Sequence, residues 1–353
     1  MMPNDKFSSM KRQATLSLLA GGILLLSGCG KESGRLYTLG IFQITDSPTL
    51  ATLRKSFIQA LAEAGYRDGI NIRLEVRNAM GDVTEAQRIA REFVDTKVDA
   101  IVALSTPCLQ AALMSTQKTP IIYSAVANPG LLESRGSGES RFRNATGVTS
   151  MGPVREMLAL IREVMPGARR IGILWTPAEL NSEHYLGVAR QSAGSFGFEI
   201  VAVPVANGNE VLLSAQMLLN QKVDAIFPIS DNTITSAFES VGRVAGENGV
   251  PLFAGILVGA RLGASAALGW DFDEMGRMTA AIALRVKNGE TPAGIPPVAM
   301  TRSRLFINLA AARRQGLSFS EAVLGRADEV LNEDPLTPPA GGAAPAVTES
   351  PGI

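Results

Sequence analysis

The polar residues of this chain that could do chemistry stand at the ends of short apolar runs. Ser105-Thr106 precede Pro107, where a helix is expected to begin. Hydroxyls together with the free backbone N–H groups of a helix N-terminus suit a carboxylate. Asp231-Asn232 occupy the matching place further along, and a carboxylate there suits a ligand ammonium. Thr45, Asn128 and the stretch Glu179-Leu180-Asn181-Ser182 follow other apolar runs. The candidate ligand-binding set is therefore Thr45, Ser105, Thr106, Asn128, Glu179, Asn181, Ser182, Asp231 and Asn232. Ser, Thr, Asp and Asn are also what helix N-termini select as caps, so each residue alone has two readings. As a set converging on one cleft, binding explains them better. Replacing Asp231 by Ala is expected to abolish capture of an amine while leaving the empty protein's melting temperature nearly unchanged.

Other chemistries find little support. The sequence has no G-x-S-x-G elbow, no G-x-x-x-x-G-K-[ST] loop and no H-E-x-x-H pair. Its single histidine, His184, falls in a polar run beside Glu183 and reads as a solvated helix position. With two cysteines that need separate explanations, no metal site is expected, and Cys108 reads as a buried, inert thiol. No catalytic residue and no cofactor is expected. Lys plus Arg and Asp plus Glu each number 33; without residues 1–28 the balance is 30 to 32. Neither a nucleic-acid footprint nor a polybasic membrane patch follows from that.

The elements that must position these residues are written twice. Lys97-Val98-Asp99-Ala100-Ile101 returns without a gap as Lys222-Val223-Asp224-Ala225-Ile226. Each copy leads into a short apolar run that stops at small polar residues, as does a strand buried on both faces of a parallel sheet. Gly40-Ile41 and Gly172-Ile173 lie 132 residues apart, the two Lys 125, and the strand-leading Pro120 and Pro251 131. The near-constant offset predicts two β-α-β-α-β-α-β units, hence an α/β fold of two similar parallel-sheet lobes with a central cleft. In such sheets ligands sit beyond the carboxyl ends of the strands.

The expected boundaries follow. Residues 1–29 read as a targeting segment: Lys11-Arg12 precede an apolar run, Ala14 to Leu26, too short to span a membrane comfortably. Translation could begin at Met1, Met2 or Met10. Residues 30–35 form a polar tether. Lobe 1 takes 36–127 plus about 262–300, and lobe 2 takes 150–255 plus about 301–331. Asn128–Gly152 and Gly255–Gly269 read as connections, and Ile295–Met300 as a third crossing. Ser318-x-x-Glu321 has capping-box spacing for a last helix ending near Leu331, and 332–353 reads as a disordered tail.

Leu26-Ser27-Gly28-Cys29 resembles the lipobox of bacterial lipoproteins, which implies lipidation of Cys29. The body of the chain resembles the ABC-transporter substrate-binding proteins of the type I periplasmic-binding fold, in the branch with tryptophan, tyrosine and phenylalanine binders. The matching residues are Gly65-Tyr66-Arg67-Asp68-Gly69-Ile70-Asn71, Val98–Pro107, Asn144-Ala145-Thr146-Gly147-Val148, Pro177–Ser182 and Asp231-Asn232-Thr233. The resemblance implies a two-lobed receptor that closes on a small ligand and hands it to a membrane permease with its ATPase. Position by position, it makes Thr106, Asn181, Ser182 and Asp231 ligand contacts. The chain departs from the family's habit at Asn128-Pro129, where Asp-Pro is common, at Trp175-Thr176-Pro177 and at Gly255-Ile256-Leu257. Those departures imply a less polar site, in which Trp175 is either a wall or core.

The leading expectation is thus a monomeric, lipid-anchored extracytoplasmic solute-binding protein of an ABC importer. Its ligand would be an amino acid, aromatic ones included, or a related small organic molecule. The alternative is a ligand-sensing lipoprotein that docks a signalling membrane partner. An enzyme would turn its ligand over, and a LacI-like regulator lacks the place for a DNA-binding helix pair.

Overall fold

The structure, a computed structural model, describes residues 35–133 and 141–332. The expectations for the targeting segment, Cys29, most of the tether and the tail lie outside the described residues. Among the described residues no helix is long and apolar enough to cross a membrane.

The first lobe runs β1 (Thr38–Gln43), α1 (Pro48–Glu63), β2 (Arg73–Asn78), α2 (Val83–Asp95), β3 (Ala100–Leu104), α3 (Thr106–Ser115), β4 (Ile121–Val126), α4 (Gly130–Glu133) and β5 (Ala145–Thr149). The second runs α5 (Val154–Val164), β6 (Arg170–Trp175), α6 (Leu180–Ala193), β7 (Glu199–Pro204), α7 (Val211–Asn220), β8 (Ala225–Ile226), α8 (Asn232–Ser236), α9 (Phe238–Glu247), β9 (Phe253–Ala254) and β10 (Ala266–Gly269). The chain then returns to the first lobe through α10 (Phe272–Lys287) and β11 (Val298–Ala299). It ends in the second with β12 (Arg304–Asn308), α11 (Leu309–Arg314), α12 (Glu321–Leu324) and β13 (Glu329–Leu331).

The first sheet is parallel throughout, in the order β11-β5-β4-β3-β1-β2. The second lobe carries β7-β6-β8 and β13-β12-β10-β9, joined by the parallel bridge Ile226–Leu252. Within it β12 runs antiparallel to β10. Strand alternation divides that lobe's core between two faces. Ile171, Ile173, Phe253 and Ile307 pack with α5 and α6; Leu174, Ile226, Ala254 and Phe306 pack with α7 and α9.

The two units are built by the same contacts. A Cβ on Gly40 would lie 2.7 Å from the Phe93 ring of α2, and one on Gly172 would lie 2.7 Å from Leu218 of α7. In each lobe the absent side chain lets the second helix settle on the first strand. Three first-lobe helices also start on sequence-encoded caps: Ser47 with Pro48 for α1, Asp82 for α2, Asp271 for α10.

Several expectations need correction. Both stretches read as connections contain a fifth strand, β5 and β10, and β10 pairs with β9 and β12. The return to lobe 1 therefore starts at Phe272, not near 262. The second copy of the repeated strand is cut to two residues, because Pro228 has no N–H to continue the ladder. The expected last helix stops at Leu324: Ser320, not Ser318, caps it, and Glu329–Leu331 pair with β12 as β13 instead. β2 begins only at Arg73, since Asn71 turns the chain back by bonding Arg67 N and Gly65 O.

Candidate functional site

The carboxyl ends of both sheets face one cavity of about 490 Å3, counting its part open to solvent. The first lobe contributes Thr49, Leu50, Ala125 and Ala127. The second contributes Asn181, Tyr185, Ser230, Asp231, Asn232 and Thr235, and Trp270 and Phe272 come from the crossing into α10. The lobes touch around it: α3 meets α6, α1 meets α8, and Leu180 of the second lobe packs on the core of the first.

On the second-lobe side, Asp231 is the one charged side chain in the lining, and it is 2 % exposed. Its Oδ1 accepts from Ile234 N at 2.8 Å and its Oδ2 from Thr176 N at 3.0 Å. Ser182 Oγ accepts from Thr176 N and also bonds the Asp231 carboxyl. Burial, reinforced by the nearby Glu179 carboxylate, pushes Asp231 up to about 7. Glu179, itself buried, accepts from Asn232 N and Nδ2, from Thr233 N and Oγ1, and from Asn181 Nδ2. Among the described residues no Lys, Arg or His side chain bonds either carboxylate. Two buried carboxylates without a counter-cation make an environment that stabilises a cation brought in from outside.

On the first-lobe side, Ser105 and Thr106 begin α3 and are fully buried. By distance and angle, the Thr106 hydroxyl, Asn181 Oδ1 and Trp270 Nε1 have no hydrogen-bond partner among the described residues, while the Ser105 hydroxyl lies against the Cys108 thiol and that of Thr176 against Asp231. Buried polar atoms are ordinarily satisfied, and two of these, Asn181 Oδ1 and Trp270 Nε1, belong to residues that line the cavity, where they can receive polar ligand atoms. Backbone strain gathers there too. Ser105 has φ 108° and ψ 162°, a region that only glycine occupies freely, and Ala125, beside a bulge in β4, has φ 56°.

Asn181, Asp231 and Asn232 line the cavity; Glu179 and Ser182 are bonded to lining residues; Ser105 and Thr106 are buried at the start of α3, which packs on α6. Thr45 and Asn128 are not in the lining. Asn128 instead caps its own turn through Gly130 N and reaches His184 across the lobes at 3.5 Å. His184 is thus half-buried, not solvated, and burial pushes its imidazole below the ordinary value. Burial pushes the Cys108 thiol up to about 12, which keeps it unreactive. Trp175 packs with the second-lobe core, while Trp270 stands at the cavity. Sequence reasoning missed Trp270 and Tyr185. Trp270 had a signal, a lone aromatic between a glycine and an acidic cap. Tyr185 gave none: its hydroxyl donates to Ser150 O and accepts from Gly152 N, fastening α6 to the inter-lobe connection.

The model of the family described as "ABC transporter substrate binding protein" matches residues 38–331. The "Tyrosine-binding protein" of Clostridioides difficile (strain R20291) is 31% identical over 342 residues, which cover 91% of this chain and 98% of that one. This chain belongs to the ABC transporter substrate-binding protein family. Its members bind and do not transform, in line with a cleft built from binding groups. Among solved structures, the ABC domain from Streptococcus pneumonia in complex with L-Trp is 26% identical with a TM-score of 0.78. The ligand-free, open structure of a substrate-binding protein with adhesive properties from Clostridium difficile is 28% identical with a TM-score of 0.60. Both comparisons cover 84% of this substrate-binding protein and all of the other chain.

Proposed function

We propose that this protein is the extracytoplasmic solute-binding component of an ABC importer, held at the membrane by a lipid on Cys29, and that it closes on a free amino acid. The observation that carries the ligand class is the buried pair Asp231 and Glu179, which no basic side chain bonds among the described residues, next to α3, whose buried first residues Ser105 and Thr106 belong to the helix that packs on α6. Asp231 receives the α-ammonium. Ser105, Thr106 and the N-terminus of α3 receive the α-carboxylate, which no cationic side chain in the lining could take. Trp270, Phe272 and Leu50 surround the ligand's side chain. The relatives named for tyrosine and solved with L-Trp favour an aromatic one.

The two charged ends of the ligand sit on different lobes, so only a closed cleft satisfies both, and binding favours closure. The inter-lobe contacts and the better match to the L-Trp complex than to the open, ligand-free relative agree with that arrangement. The protein acts as a monomer that presents its loaded form to a permease and its ATPase.

Thermal shift tests the reading, because a ligand of the native state alone raises the melting point. L-Tyrosine, L-tryptophan and L-phenylalanine are compared with tyramine, which lacks the carboxylate, and 3-(4-hydroxyphenyl)propionate, which lacks the amine. At least one amino acid raises the melting temperature and both truncated analogues do so far less. A shift by tyramine equal to that by tyrosine sinks the carboxylate assignment; silence from all three amino acids sinks the ligand class.

A further inference from the structure

Glu179 does something other than touch ligand. A carboxylate has about four lone-pair sites, and five donors already converge on this one: two backbone N–H groups, two side-chain amides and a hydroxyl. It caps no N–H of its own helix α6. Instead its oxygens take the N–H groups of Asn232 and Thr233, and Asp231 takes that of Ile234. The first turn of α8 is thereby shared between two carboxylates from two elements, both almost wholly buried.

We propose that Glu179 is a positioning residue: it fastens α8 to the start of α6, and its fixed charge makes Asp231 exchange a proton for the ligand's cation. This rests on the reading of Asp231 as the ammonium site. In the empty protein the proton resides on Asp231. When an ammonium arrives, the Asp231 O–H bond breaks, the proton leaves to solvent, and the carboxylate faces the cation. At the Asp231 end the ammonium takes over the positive charge that the departing proton carried, so the carboxylate is not left facing Glu179 uncompensated.

The other groups facing the pair do not compete for this role. Burial pushes the Tyr185 phenol and the Cys108 thiol up to about 12 each, so both stay neutral. Thr176, Ser182, Asn181, Asn232 and Thr233 carry no charge. His184 faces Asn128, and burial favours its neutral form.

The test is calorimetric titration with L-tyrosine and with L-tryptophan between pH 5 and 8, in two buffers of different protonation enthalpy, paired with carboxyl-carbon NMR of Asp231 in the empty protein. The wild type is expected to release close to one proton per ligand at pH 6 and almost none at pH 8. Its affinity should fall about tenfold for each pH unit below neutrality. Glu179→Gln moves the Asp231 titration to lower pH and cuts the proton release at pH 6. Glu179→Asp keeps the charge but shortens the reach, and keeps most of the release. A purely structural role would alter both variants alike, and that result overturns the proposal. So does a wild type that binds with no proton released, even if Glu179→Gln does not fold, and that outcome leaves amine capture standing. Failure of both amino acids to bind at any pH overturns the ammonium reading and the exchange with it.

Discussion

Asp99 and Asp224, 125 residues apart, hold the same place in their two lobes. Asp99 Oδ2 accepts from Thr38 N at 2.7 Å, and Asp224 Oδ2 accepts from Arg170 N at 2.8 Å and Arg169 N at 2.7 Å. Each carboxylate ties the start of the repeated strand to the start of the lobe's first strand. The lysine two residues earlier has φ 56° in both copies. The environments differ: Thr38 is buried, whereas Asp224 and its partners lie near solvent.

Removing the two carboxylates is therefore not equivalent. Asp99→Ala leaves a buried N–H unsatisfied and should destabilise by about 1–3 kcal/mol. Asp224→Ala lets water replace the carboxylate and should cost under about 1 kcal/mol. Urea melts of the two variants check this, and the reverse order would contradict it.

The doubling that this pair belongs to was legible because it is local: strand type, helix face and their order all follow from runs of residues close in sequence. What the sequence hid depends on distant partners. Pro228 shortens β8 in a stretch whose apolar run looked like its twin. Leu331 looked like the end of a helix until β12 offered it a ladder. At the site, residue types pointed to the right turns but not to their division of labour. Glu179, Asn181 and Asp231 all look like caps or contacts, and only their mutual hydrogen bonds separate the saturated Glu179 from Asn181, whose Oδ1 is unsatisfied.

The glycine contacts carry a paired prediction. Gly40→Ala drives a Cβ into the Phe93 ring and Gly172→Ala drives one into Leu218. Overpacking of this kind costs about 1–3 kcal/mol. Trimming the neighbour should relieve it, so Phe93→Leu combined with Gly40→Ala, and Leu218→Ala combined with Gly172→Ala, are less destabilised than the sums of their single changes. Double-mutant cycles by chemical denaturation measure the coupling; strictly additive costs would refute the contact.

Ser105 sets stability against binding. Its conformation costs a non-glycine residue about 1–3 kcal/mol, while glycine gives up about 0.5–1 kcal/mol in chain entropy. Ser105→Gly should leave the empty protein about 1 kcal/mol more stable. Because it also deletes a hydroxyl in the proposed carboxylate subsite, it should weaken L-tyrosine binding. Calorimetric melting and titration separate the two effects, and a variant that loses stability would show that the strain is not relieved there.

Asp231 governs how stability responds to pH. Its carboxyl lies near 7 in the folded chain against an ordinary value of 3.8, with burial the main cause and Glu179 the second. The folded state therefore binds more protons than the unfolded chain between about pH 4 and pH 7. Stability from this group is fully present below about pH 4 and is lost as pH rises through 7, opposite to an ordinary salt-bridged carboxylate. Asp231→Asn keeps an oxygen for the Ile234 N–H and should flatten this dependence, so that its melting temperature gains on the wild type as pH rises from 5 to 8. Asp231→Ala behaves differently. It strips the cap from α8 and the acceptor from Thr176 N, so below about pH 5 it should be less stable than the wild type, by about 0.5–2 kcal/mol for the cap alone, and at every pH less stable than Asp231→Asn. The expectation that this variant would leave the empty protein untouched is thereby corrected, and the amide is the substitution that isolates charge from fold. Melting curves of the three proteins from pH 4 to 8 decide the matter: parallel profiles for wild type and Asp231→Asn would mean that the Asp231 proton is not what the fold is holding.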